Sequence, residues 1–425
     1  MGVKGLIARL KGNKTLMNGA LFSLFSFINR GIGFLLLIIL ARYIMPAEYG
    51  RLSLFNTIVQ FLGYFIALSC QGYFAISFFQ RKDELFRQDT TSIVLIMTVC
   101  TSVLSLVLIF CHESLARFAE LPKSFIWFSI IISFTQVFYY LYTDFLRIQE
   151  KVTRYGIVSC GFAIINFVLS LYLVIYKGLD WEGRVYSHLI CTTVSGLIGF
   201  IILARNKLFS LNITWEGTKN ILLWGIPLIP HEATSWIKQG CDRFIINSTQ
   251  SIEDVGLFSF ALTLTSIVIM IGTAFNSTNS VSIYHILSSD LSAHEKQLKL
   301  RKQTRNIFKI YTVGYIAVLL VSSVLVPLLM PKYSGCMAYF WITSISGYLQ
   351  CLYYLYVNYL FYYHKNQRIM IVTFMSAIIH LVLSLIFTRY SLYFTSLIYV
   401  ISQGFVLALI THFSKRVIKE KISKL

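Results

Sequence analysis

The sequence predicts an all-α polytopic membrane protein of about twelve transmembrane helices. They form two six-helix bundles related by a pseudo-two-fold axis along the membrane normal, with both termini cytoplasmic. Three observations predict this. Apolar segments of roughly 20 residues, the length that crosses a ~30 Å hydrocarbon core, recur from end to end. Lys and Arg crowd into every second inter-helical segment, and the second half repeats features of the first. With 56% apolar and 13% charged residues and a mean hydropathy of +0.68, the chain is too apolar for a soluble domain. A β-barrel would show short alternating segments instead.

In chain order the helices are expected at about 16–42, 52–79, 91–112, 123–146, 155–176, 185–204, 220–247, 256–285, 307–330, 335–362, 369–388 and 392–413. The longest polar connections are 205–219 and 288–306, and neither can hold a folded extramembrane domain. The domain reading is an N-terminal bundle over 1–204, a cytoplasmic linker over 205–219 and a C-terminal bundle over 220–425. The N-terminus is basic and then apolar. Its apolar run exceeds a signal-peptide core and shows no small-x-small cleavage site, so it reads as a helix.

Orientation follows from charge. The N-terminus, the even-numbered loops and the C-terminus together hold 26 Lys and Arg, against eight in the alternate set, so the first set is cytoplasmic. Three of the 37 cations remain, Arg30, Lys238 and Arg243, all inside helices 1 and 7. Those helices correspond under the repeat. At an offset of 206 residues Leu16 meets Leu222, Gly19 meets Gly225, Gly50 meets Gly256, Ser53 meets Ser259 and Thr57 meets Thr263. YYLYTDFL from Tyr139 likewise resembles YYLYVNYL from Tyr353. Same-orientation repeats place substrate between the halves, which rock to alternate access. The eight cysteines show no CxxC or Cys/His spacing and imply neither disulfides nor a metal site.

The run ILARYIMPAEYGRLSLFNTI after helix 1 resembles the ILAR-x-L-x-P-x-x-YG-x-L signature of bacterial polysaccharide flippases. DRFIINSTQSIEDVGLFSFA resembles the matching element at helices 7 and 8 of that family. The family lies in the multidrug/oligosaccharidyl-lipid/polysaccharide exporter superfamily. Ile44 and Met45 stand where it more often has Leu-Gly, a departure that bears on turn geometry. The resemblance implies an O-antigen or capsule repeat-unit flippase of the bacterial inner membrane, acting in lipopolysaccharide or related polysaccharide biosynthesis. Its cargo would be an oligosaccharide on undecaprenyl diphosphate, moved from the cytoplasmic to the periplasmic leaflet. Membrane lipids, a coupling H+ or Na+, and the polysaccharide polymerase and chain-length machinery are the further partners it implies.

A charge near the centre of a spanning helix costs on the order of 3 kcal/mol, so it faces a partner or a wet cavity. Arg30, on a polar stripe with Ser23, Ser26 and Gly33, suits the diphosphate, which guanidinium grips bidentately. The alternative is an Arg neutralised by Asp144 or Asp242. His231, Ser235, Lys238 and Asp242 share one face of helix 7, so Lys238 either contacts cargo or pairs with Asp242 four residues on. Arg243 either contacts cargo or snorkels out. Asp242–Arg243 also matches an Asp-Arg pair of the family's seventh helix, which suggests gating. Asn29, Asn56, Gln60, Tyr140 and Asn276 complete the candidate sugar-binding set, against interfacial packing for the tyrosines. A proton cycle needs a group that changes charge, and His231, Glu232, Asp144 and Asp242 qualify, with His380 between Ser376 and Ser384 less favoured. Pro227 and Pro230 should bend helix 7 beside His231. The basic loop at 296–305 reads as a solvated segment near anionic lipid.

With no nucleotide-binding glycine loop and no extramembrane acid/base pair, the chain is read as a transporter without cofactor, not an enzyme or a nucleic-acid binder. A polymerase of lipid-linked sugars would carry a large periplasmic loop. A drug exporter of the same superfamily would rely on membrane carboxylates rather than mid-helix cations.

Overall fold

The computed structural model describes residues 14–422; these are mostly helical, joined by short turns and loops, and hold no β-strand. The helices are α1 (Lys14–Leu40), α2 (Pro46–Ala67), α3 (Gln71–Gln80), α4 (Asp83–Phe118), α5 (Lys123–Ile148), α6 (Val152–Leu171), α7 (Asp180–Arg205) and α8 (Trp215–Gly225). They continue as α9 (Ile229–Trp236), α10 (Asp242–Thr249), α11 (Ile252–Ser288), α12 (Ala293–Leu329), α13 (Cys336–Tyr362), α14 (Asn366–Phe387) and α15 (Leu392–Ile422). Among the described residues ten spans are long and apolar enough to cross a membrane, counting α2 and α3 as one. The two expected spans outside those ten have physical reasons. α13 is long enough, but its seven tyrosines dilute its hydropathy. The seventh expected helix is not one helix but α8, α9 and α10, joined by a 3₁₀ turn at Ile226–Leu228 and a π turn at Ile237–Cys241. Pro227 lacks an amide hydrogen and stands in the first of these breaks.

Two other boundaries move. The stretch 288–306 is expected as a polar connection, yet α12 begins at Ala293, capped by Ser292 and Glu295 in a reciprocal capping box. Lys296 is therefore not a solvated loop residue. It is buried, and its Nζ donates to the carbonyl of Leu287 at 3.2 Å. The second expected helix breaks at Leu68 and Ser69, both with positive φ (46° and 57°). Such backbone costs about 1 kcal/mol or more per residue and persists only where packing enforces it. Gly225 supplies that packing: a Cβ there would lie 2.3 Å from the Leu68 carbonyl oxygen.

The chain divides into two compact units. The first holds the described residues up to Ile44 together with Leu54–Glu232; the second holds Met45–Ser53 and the chain from Ala233 onward. In the first, α5 is an inner helix whose Ser133 donates to the Val59 carbonyl of α2 at 2.8 Å. The segment 205–219 is tied to α4 of this unit. Ser210 Oγ donates to Glu84 at 2.7 Å and Thr218 Oγ1 to Ser92 at 3.1 Å.

In the second unit α11 and α13 are inner helices, and the outer apolar face of α12 is almost bare. Here the residues paired by the 206-residue offset meet in space. A Cβ on Gly50 would lie 2.2 Å from the Ile252 oxygen, and one on Gly256 1.8 Å from the Pro46 oxygen. Ser53 Oγ donates to Ser259 Oγ at 2.8 Å. Only glycine permits so close a backbone crossing.

Candidate functional site

Arg30 lies on α1 in the first unit, exposed and without an ion pair among the described residues. Both carboxylates that might have neutralised it are engaged elsewhere. Asp144 pairs with Arg147, one turn along α5, at 3.0 Å, and Asp242 pairs with His380. Neither of these two carboxylates pairs with Arg30. Asn29 is half-buried beside Arg30, and Asn56 and Gln60 are exposed on α2, where Gln60 donates to Tyr64 Oη at 2.9 Å. Tyr140 is exposed on α5 and accepts from Gln136 Nε2 at 3.0 Å. Glu232 is half-buried in the first turn of α9. The side chain of His231 lies outside the described residues.

The same unit holds a half-buried cation within a helix that the sequence reading counted with the loops. Arg184 stands inside α7, where its Nη1 donates to Asn166 Oδ1 at 2.9 Å and Ser170 Oγ at 3.3 Å. Asp180 and Glu182 open that helix, so charge density at its start masked the boundary.

In the second unit the expected stripe of Ser235, Lys238 and Asp242 is not one face. Ser235 is exposed, Lys238 is half-buried and Asp242 is wholly buried. The π turn between them holds more residues per turn than an α-helix, which rotates Asp242 away from the line that 3.6-residue spacing predicts. Asp242 Oδ2 lies 2.8 Å from His380 Nε2, each side chain 1% exposed, and so the Lys238–Asp242 ion pair does not form. Lys238 has no ion pair among the described residues. His380 Nδ1 lies 3.0 Å from Ser402 Oγ on α15, and Tyr399 meets the imidazole edge-on at 4.8 Å. Arg243 is half-buried, and its Nε donates to Ser259 Oγ at 3.1 Å, the serine that also accepts from Ser53. Asn276 accepts from Asn358 Nδ2 at 2.8 Å on α13, and Gln403 donates to Gln350 at 2.7 Å. The pairing of His380 with Asp242 was not foreseen, because the partner lies 138 residues away. The Ser376-x-x-x-His380-x-x-x-Ser384 face was its only local mark.

The described residues form a polytopic helical fold, and structural comparison finds the same fold in known membrane proteins. The inward-facing conformation of a multidrug resistance MATE family transporter of the MOP superfamily superposes with a TM-score of 0.70 at 15% identity, covering 95% of each chain. The lipid II flippase MurJ, in its inward closed conformation, gives 0.71 at 13% identity over 93% of this chain and 87% of that one. Both neighbours are transporters or flippases rather than enzymes. By sequence, the chain belongs to the polysaccharide biosynthesis protein family, whose profile matches residues 15–281. It is also 26% identical to a Haemophilus influenzae product of the Lsg locus over 388 residues, 88% of this chain and 90% of that one.

Proposed function

We propose that this protein flips undecaprenyl-diphosphate-linked oligosaccharide repeat units, such as those of O-antigen or lipopolysaccharide, from the cytoplasmic to the periplasmic leaflet of the bacterial inner membrane. The cycle is alternating access coupled to an ion. The observation that carries the reading is the presence of two cations, Arg30 and Lys238, that no carboxylate among the described residues neutralises, in a member of a polysaccharide biosynthesis family. A diphosphate is the part of such a cargo that needs fixed positive charge in a low-dielectric setting. Asn29, Asn56, Gln60, Tyr140 and Asn276 then serve the sugars, Arg243 a contact or gate, and Glu232, Asp144 and His231 remain candidates for ion coupling beside Asp242. The polymerase and chain-length machinery are the partners downstream.

The same reading takes twelve spans, with α13 and the α8–α10 run as the two beyond the ten, two bundles about a pseudo-two-fold axis, and cytoplasmic termini. The reciprocal Gly50–Gly256 and Ser53–Ser259 approaches support that axis, because residues related by a two-fold meet their own equivalents beside it. The multidrug alternative draws on the MATE likeness in fold. Cations with no ion pair among the described residues disfavour it, since cationic drugs would be repelled. The test is leaflet assignment of lipid-linked oligosaccharide in a deletion strain. Accumulation on the cytoplasmic face, relieved by the wild-type gene and not by Arg30→Ala, is expected. An even distribution between leaflets would remove the flippase reading.

A further inference from the structure

We infer that the segment from Leu211 to Trp215, with the outer stripe of α8, is an interfacial anchor that inserts into the phospholipid headgroup layer. The inference rests on the spanning helices of the chain and not on the flippase reading. It starts from exposure in a segment that is otherwise polar. Leu211 is 100% exposed, Trp215 75% and Ile213 38%, with Asn212 and Thr214 between them. Single apolar side chains on a surface are ordinary, but three within five residues make a continuous apolar edge that calls for a cover.

The segment is not free to fold this edge inward, because its other side is already committed. Leu208 is buried, and the Phe209 ring lies 5.5 Å from that of Phe200. The Ser210 amide donates to Thr91 Oγ1 at 2.9 Å, and its hydroxyl donates to Glu84 at 2.7 Å. Thr214 Oγ1 accepts from the Gly217 amide at 3.2 Å and so caps α8.

The same bonds fix the depth of the segment. In α4, Asp83, Glu84, Arg87 and Asp89 precede an apolar run that opens at Ile93. Thr218 donates to Ser92 Oγ at 3.1 Å and therefore stands where α4 passes from charged to apolar, the level of the headgroups. From there α8 runs inward. A Cβ on Gly217 would lie 3.8 Å from Asp89 Oδ1, and one on Gly225 3.0 Å from Cys70 Sγ, at the opposite end of α3 from the connection to α4. Its buried face is Thr218, Ile221 and Gly225. On the other face Trp215, Lys219 and Leu223 follow i, i+4, i+8, all exposed.

Each of these side chains suits a phospholipid interface. An indole has an apolar body and an N–H that can reach water, so it favours the headgroup layer. Lys219 can extend its ammonium to phosphate while its stem stays in apolar surroundings. Arg205 and Lys207, exposed where the segment begins, complement anionic headgroups. A soluble protein partner would leave Leu223, deeper along the same stripe, uncovered, whereas a lipid layer covers both ends.

The test uses the full chain in nanodiscs of phosphatidylcholine and phosphatidylglycerol. The chain has six tryptophans, so the emission of Trp215 is read as the difference between wild type and Trp215→Phe. A nitroxide on the phospholipid headgroup or high on the acyl chain should remove most of that difference emission, and aqueous acrylamide should change it little. A second reporter, Leu211→Trp in the Trp215→Phe chain, should respond in the same way. Emission quenched by acrylamide and not by the lipid nitroxide overturns the proposal, because the edge then faces water. Emission that neither quencher reaches also overturns it, because protein then covers the edge.

Discussion

Arg30 and Asp242 keep charge in an apolar chain in opposite ways. Arg30 stays exposed and has no ion pair among the described residues, so its removal should disturb little else. Arg30→Ala is expected to abolish surface polysaccharide with unchanged protein level and melting temperature. Arg30→Lys should retain part of the activity if charge alone suffices, and little if the bidentate fork is required. Asp242 is sealed in with His380, and removing one partner of a buried pair costs about 3–5 kcal/mol. Asp242→Ala should therefore lower the melting temperature as well as activity. Exchanging the two charges, Lys238→Asp with Asp242→Lys, should restore nothing beyond either single change, because the carboxylate's partner is His380. Recovery in a complementation assay would return the pair to Lys238.

Between residues and fold stand the helix ends and crossings. The crossing of α2 over α11 places backbone against backbone at Gly50 and Gly256. Gly256→Ala is expected to destabilise by about 1–3 kcal/mol, the range for overpacking. Gly33→Ala on α1, with nothing within 4 Å of the added carbon, should be neutral or slightly stabilising. Thermal unfolding in detergent separates the two. The start of α12 was legible in advance, since Ser292 and Glu295 have capping-box spacing. Hydropathy overrode that cue because the helix's first turns are basic. The break in the seventh helix was legible only in part. Prolines announced the 3₁₀ turn, but no residue type announces a π turn, whose position depends on what the neighbouring helices demand.

For the whole molecule, the asymmetry of 26 cations against eight predicts an orientation that is open to mapping. A cysteine at Lys207 should react with a membrane-impermeant reagent only from the cytoplasmic side, and one at Lys177 only from the periplasmic side. The reverse pattern would invert the topology.

The helical membrane class was readable from the chain, because bilayer thickness imposes long apolar segments and backbone satisfaction imposes helices. The Gly50–Gly256 correspondence was readable too, as an offset. Which charges pair was not. Asp242 has Lys238 and Arg243 as its neighbours in sequence, yet it bonds His380, because a π turn rotates it and α14 brings the imidazole within 2.8 Å. Electrostatic partners in a buried site are chosen by three-dimensional proximity, and proximity across 138 residues leaves no periodic trace in the chain.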